Sequence, residues 1–270
     1  MTPELEEAGT TSRELVLRFS PTTDRPRLQA LFDIEREVTA SLRPELDHTV
    51  AHTRLEWWSE ELGRLAQAQA RHPATRTLAA TLLDSGRSLA DLQGLVEATR
   101  IDLATVAFLT RAELDDYLGL WSDSIFINLC LNSSDRARAL GRCIREIELI
   151  ADWPQQAHRG RLYRSLGDPP EPHEPWVRHP LGEPQCQQLR TRLNELASEI
   201  GSLARAWPVD ELSSQGPALL WAALARGTAL RLQSGLPNFS ITRFEPLSRT
   251  IRAWRAALSL SRGRLPSALR

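Results

Sequence analysis

The sequence predicts an all-α fold, and three observations carry the reading. Apolar residues recur at steps of three and four along nearly the whole chain, the spacing of one buried helical face. Runs in which Val, Ile, Thr or Tyr alternate with polar residues, the mark of a half-buried strand, are rare. Prolines such as Pro26 and Pro73 fall at the edges of the apolar stretches, where a missing amide costs a helix little. With 270 residues, the chain has ample length for one large domain with a sizeable core. The expectation is a bundle of roughly eight to ten helices.

Taken in order, residues 1–24 read as a polar N-terminal segment; M-T-P-E-L-E-E-A-G-T-T is unlike a secretory signal or a transit peptide. The first helix is expected over 25–43, with Leu28, Leu31, Phe32, Glu35, Val38 and Leu42 on one face. The second covers 46–71 and carries Val50, Leu55, Trp58, Leu62 and Leu65. His72-Pro73 stops it, and Pro73 opens a third with Leu78, Leu82 and Leu83. Further amphipathic stretches cover 88–103, 111–131, 134–152, 183–206, 214–233 and 246–262. From Gly167 to Pro184 six prolines predict a helix-free surface connection inside one domain spanning 25–265.

Composition narrows the function classes. Apolar residues make up 41%, ordinary for a soluble globular protein. A net charge of −1 provides no basic field for nucleic acid. All 33 basic residues are arginine, which accords with genomic base composition and also supplies the better fork for phosphate. Cys130, Cys143 and Cys186 form no C-x-x-C, which argues against a disulfide framework or zinc knuckle and fits a reducing, cytoplasmic setting. No apolar run reaches the roughly 20 residues that span a bilayer.

Several segments then fall into a known order: A-L-F-D-I-E-R-E-V (30–38), R-L-E-W-W-S-E-E-L (54–62), H-P-A-T-R-T-L (72–78), E-A-T-R-I-D-L (97–103), A-R-A-L-G (137–141), D-W-P-Q-Q-A-H-R-G-R-L-Y (152–163) and F-E-P-L-S-R-T-I-R-A-W-R-A-A (244–257). Together they resemble the squalene/phytoene synthase family. Its members are all-α enzymes that join two prenyl diphosphates head to head. Their magnesium is held by two aspartate-rich helices facing each other across a central cavity. The resemblance implies a single isoprenoid-synthase-like bundle around such a cavity.

The departures fall on the metal ligands. Where the family reads R-E-V-D-D-x-x-D, this chain has Arg36-Glu37-Val38-Thr39-Ala40-Ser41-Leu42-Arg43. The aspartates thus align with Thr39, Ala40 and Arg43. In the second motif, roughly D-x-x-E-D, Asp152 survives but Gln155 and Gln156 replace the following acids; Glu148 aligns with an upstream family asparagine. Magnesium needs hard, mostly anionic oxygens in near-octahedral array. No residue is assigned as catalytic or as a metal ligand, and Asp152 is the sole remaining acid of the second motif.

The ligand-binding candidates are Arg36, Glu37, Asp102, Asp152, Arg159, Arg161 and Tyr163. The family alignment makes Asp152 with Arg159, Arg161 and Tyr163 an anion clamp; the plainer account is a helix end with satisfied side chains. Arg36 and Glu37 are either a structural pair retained from the ancestral cavity or, for Arg36, a diphosphate contact. Asp102 lies on a helix whose acid nears the cavity in the family, while Glu97 and Arg100 fit a solvated i, i+3 pair. His48 and His52 have metal-binding spacing without a third ligand, and His173 and His179 sit in the proline-rich connection. The eight tryptophans suit either a prenyl tunnel or the core. The C-terminal helix, with Arg249, Arg252, Arg255, Arg262 and Arg264 among Leu247, Ile251, Trp254, Leu258 and Leu260, either closes the bundle with arginines outward or contacts a membrane surface or protein.

The reading chosen is a synthase-like protein without magnesium-dependent prenyl transfer, acting as a partner- or lipid-binding scaffold. Phytoene-synthase-like assembly factors of mitochondrial respiratory complex I set the precedent within the resemblance. The alternative is an active prenyltransferase with an altered metal site of Glu37, Asp102, Glu148 and Asp152, and only that reading calls for magnesium. A third reading is a prenyl-ligand binder without turnover. The expected partners are a protein or a prenyl lipid, with no nucleic acid, and the expected location is cytoplasmic or peripheral to the inner face of the membrane.

Overall fold

The structure, a computed structural model, describes residues 11–82, 89–104, 107–130, 135–165, 172, 174–177, 180–237, 239 and 245–270. Among the described residues, helices carry nearly the whole fold. The all-α expectation holds, and the periodic stretches become helices within a few residues of where their apolar spacing puts them.

Helix α1 (Ser12–Phe19) lies inside the segment read as a polar tail. The Glu14 amide donates to the Thr11 hydroxyl, and the Thr11 amide donates to the Glu14 carboxylate. This reciprocal cap satisfies two otherwise orphaned groups. It starts a helix whose Leu15 and Val16 are fully buried.

Helix α2 (Arg25–Thr39) opens on Pro26 and buries Leu28, Leu31, Ile34, Glu35 and Val38. Arg27, also buried, donates to the Asn128 and Leu129 carbonyls at the C-terminal end of α6 (Arg111–Leu129). A cation there meets the negative end of the helix dipole. Helix α3 (His48–Ala66) is capped by Asp47 and followed by α4 (Pro73–Leu82). Glu61 holds the joint between them. It accepts the Arg71 and His72 amides at 2.7 and 2.8 Å, the Thr75 hydroxyl and Arg64 Nε. Burial opposes its charge, but these donors overcome that and hold its pKa at about 2. The W-W-S-E-E-L and H-P-A-T segments are therefore a structural staple. Val50, expected on the inner face of α3, is exposed, and Ala51 is buried instead.

Helix α5 (Gln93–Ala104) leads to β1 (Ala107–Phe108), which pairs in parallel with β2 (Leu162–Ser165). Helix α6, α7 (Asp135–Ala151), α10 (Glu183–Arg205) and α11 (Gly216–Gly235) form the centre, with α7 packed against the other three. Most of α11 and the part of α6 from Tyr117 onward are buried on almost every side, as befits helices surrounded by others. Glu146 on α7 locks the group: Arg111 and Arg192 each grip its carboxylate through two bonds of 2.7–2.8 Å.

Between α8 (Trp153–His158) and α10, the proline-rich connection contains the short helix α9 (Glu174–Val177), so it is not helix-free. Pro175 stands in its first turn, where proline is tolerated. Trp176 is buried beside Trp153, whose indole donates to the Trp176 carbonyl at 3.1 Å. Leu83, His173 and His179 lie outside the described residues.

The final helix, α12 (Glu245–Leu260), packs on α11 and α1 through Ala253, Ala256 and Leu260. Leu247, Ile251, Trp254 and Leu258 face solvent. The three cysteines are buried thiols. Among the described residues no helix is long and apolar enough to cross a membrane.

Candidate functional site

Helices α2 and α7, which lead into the two sets of motif positions, are joined by a residue from a third element. Arg13 on α1 donates to both Glu35 carboxylate oxygens at 2.6 Å and to those of Glu148 at 3.3–3.4 Å. Its guanidinium lies 4.9 Å from the Trp221 ring centroid. Two indoles complete the carboxylate coordination: Trp121 donates to Glu35 at 2.9 Å, and Trp221 to Glu148 at 3.1 Å. Arg145 reaches Glu148 from the same helix at 3.7 Å and stands 5.3 Å from the Trp121 ring centroid. Trp121, Trp221, Phe126 and Phe32 meet through ring contacts of 5.3–5.9 Å, and all four are buried.

The electrostatics follow from this geometry. Burial alone would push the Glu35 carboxyl up, but the Arg13 guanidinium and the Trp121 indole more than reverse it, leaving it below the usual carboxylate range. For Arg13, burial opposes the charge and the Glu148 and Glu35 carboxylates prevail, so its guanidinium is held more firmly protonated.

A second polar cluster adjoins the first through Arg145. Asp102 on α5 is buried and accepts the Tyr163 hydroxyl at 2.7 Å and the Tyr117 hydroxyl at 3.2 Å. Arg145 donates to the Tyr117 hydroxyl at 3.2 Å. Strand β2 delivers Tyr163 to this point, against Tyr117 and Phe108. Burial pushes the Asp102 carboxyl up, opposed by the Arg145 charge and the two hydroxyls. Both tyrosine hydroxyls are pushed up as well, chiefly by burial.

Of the residues predicted from sequence, the fold brings together Asp102 and Tyr163, with the Arg161 charge acting on Asp102. The others lie apart. Arg36 is exposed and pairs with Asp33 at 2.8 Å. Glu37 meets Arg54 at 3.7 Å near the surface. Asp152 and Arg159 flank α8 on its exposed side. Glu97 and Arg100 form the expected helix-surface pair at 2.6 Å. His48 and His52 face each other at 3.0 Å on the exposed start of α3. Trp58, Trp121, Trp153, Trp176, Trp207 and Trp221 are core; Trp57 and Trp254 are exposed.

Sequence reasoning missed Arg13, Glu35, Tyr117 and Arg145 as site residues. Glu35 had left a signal, since it is an acid in line with Leu31 and Val38 on the buried face of α2. Arg13 had left one too: Thr11 followed three residues later by Glu14, then Leu15 and Val16, is a helix-start signature.

A squalene/phytoene synthase family model matches residues 7–250. The chain belongs to the squalene/phytoene synthase family. Two solved structures share its fold. Squalene synthase HpnC from Alicyclobacillus acidocaldarius superposes with a TM-score of 0.68 at 19% identity, covering 83% of this chain and 88% of that one. A dehydrosqualene synthase in complex with ligand gives 0.69 at 14% identity, covering 93% and 92%. No curated protein matches in sequence.

Membership in the squalene/phytoene synthase family implies magnesium, and the residues present do not fit it. The Thr39 hydroxyl is spent on the Glu35 and Arg36 carbonyls of its own helix. Ala40 has no donor atom, and Arg43 is an exposed cation. Gln155 and Gln156 are neutral. Glu35 and Glu148 are already held by guanidinium groups. Of the altered-site set, Glu37 pairs with Arg54, while Asp102 and Glu148 both feel the Arg145 charge. Among the described residues no group of three or more His, Cys, Asp or Glu side chains could hold a metal ion.

Proposed function

We propose that this squalene/phytoene synthase family protein does not perform magnesium-dependent prenyl transfer and acts as a scaffold that binds a protein partner or a lipid. The observation that supports this reading is the Arg13 bridge. One guanidinium joins carboxylates of α2 and α7, the two helices that lead into the motif positions. Diphosphate departure needs cations that neutralise the leaving group, and magnesium needs free anionic oxygens to be held. Here Glu35 and Glu148, each four residues before a motif position, neutralise an internal arginine instead. The two clusters bind α1, α2, α5, α6, α7 and α11 into one unit, a structural task rather than a catalytic one.

The test is direct. Purified protein incubated with farnesyl or geranylgeranyl diphosphate and magnesium is expected to leave the substrate unconsumed. Product above a metal-free control, abolished by Asp152→Ala, would overturn the reading. Saturable binding of a prenyl diphosphate without turnover would assign the lipid branch of the proposal. Recovery of a specific protein without prenyl affinity would assign the partner branch.

A further inference from the structure

Helix α12 turns outward the face that a bundle-closing helix would bury. Leu247, Ile251, Trp254 and Leu258 follow steps of four, three and four residues, so at about 100° per residue they form one narrow stripe. Their exposures are 64%, 42%, 52% and 36%. Ala253, Ala256 and Leu260, on the opposite side, are buried. The helix therefore meets the bundle through mostly small side chains and presents an apolar ridge about 16 Å long to solvent.

Charge along the segment is nearly all of one sign. After Glu245 at the start of α12, residues 246–270 contain Arg249, Arg252, Arg255, Arg262, Arg264 and Arg270 and no aspartate or glutamate, in a chain with a net charge of −1. Arg255 flanks the ridge, and Arg262 and Arg264 continue beyond its end; all three are exposed.

We propose that α12 docks the protein onto an anionic lipid bilayer, lying in the headgroup region with its axis along the surface. The inference does not depend on whether the chain turns over a prenyl substrate. A convex ridge with Trp254 near its centre suits the interface, where an indole has both an apolar body and a polar edge. Arginine forks suit lipid phosphates, and no aspartate or glutamate after Glu245 opposes them. A protein-binding helix face more commonly carries charges of both signs to fix its register.

The experiment uses the full chain and co-sedimentation with vesicles of phosphatidylcholine, alone or mixed with phosphatidylglycerol. Binding is expected to rise with phosphatidylglycerol content and fall with added salt. Ile251→Ser with Trp254→Ser is expected to lower the partition coefficient about ten-fold or more. Arg255→Glu with Arg262→Glu and Arg264→Glu is expected to remove the preference for phosphatidylglycerol. These side chains are exposed, so circular-dichroism melting should stay unchanged in both variants. Absence of binding to phosphatidylglycerol vesicles, or undiminished binding by the serine variant, overturns the proposal. So does a dimer seen in sedimentation velocity that the serine variant dissolves, if it appears without vesicle binding; the ridge would then belong to a second copy.

Discussion

At the scale of single residues, two carboxylates show opposite uses of arginine and backbone. Glu35 relies on Arg13, so Arg13→Ala leaves a buried acid without its cation and should cost about 3 kcal/mol in urea unfolding. Glu61 relies mainly on amides and a hydroxyl. Its folded pKa of about 2 lies below the ordinary 4.5. Its contribution is therefore present above pH 4.5 and disappears as the pH falls towards 2. Glu61→Gln should destabilise the protein by about 3 kcal/mol at pH 7 and flatten its loss of stability across that acid range. Urea midpoints measured from pH 7 downward test both statements; an unchanged acid limb in Glu61→Gln would count against the staple. The sequence disclosed Asp102 and Tyr163 as candidates through their family positions, and it disclosed Glu35 only as a member of an apolar face. It could not disclose Arg145 or Tyr117, because surface arginines and core tyrosines look the same until the chain folds.

At the scale of elements, α7 is the member that several others share. Arg145 and Glu148 take part in the central network, while Glu146 ties α6 to α10. The close approach of α6 and α7 depends on Gly141, where a methyl group would stand 2.8 Å from the Phe126 ring. Gly141→Ala should therefore destabilise the fold by about 1–3 kcal/mol through overpacking, read as a lower melting temperature. Most helices were legible because a 3.6-residue period survives any tertiary arrangement. Helix α1 was obscured by its eight-residue length and its polar flank. Helix α9 was obscured by prolines, although a proline in the first turn is compatible with a helix. The outward stripe of α12 was invisible for a different reason: periodicity reveals an apolar face, not which side of the helix the bundle takes.

At the scale of the molecule, the squalene/phytoene synthase fold is kept while the residues at its motif positions are reassigned to ion pairs and solvent. The first and last helices also depend on one another. Arg249 of α12 donates to the Ser12 hydroxyl of α1 at 2.7 Å, across 237 residues of sequence. A chain ending at residue 244 should therefore hold α1 less firmly. Limited trypsin digestion followed by mass spectrometry should find faster cleavage at Arg13 and Arg18 in that chain than in the full one; equal rates would remove the proposed coupling. The same bond has a consequence for synthesis. The ribosome releases Arg13 first and Trp221, with the helix that braces Ser12, near the end. Until then Arg13 lacks the Trp221 ring and the α12 contact beside it, so the ionic centre is completed late around a segment made first.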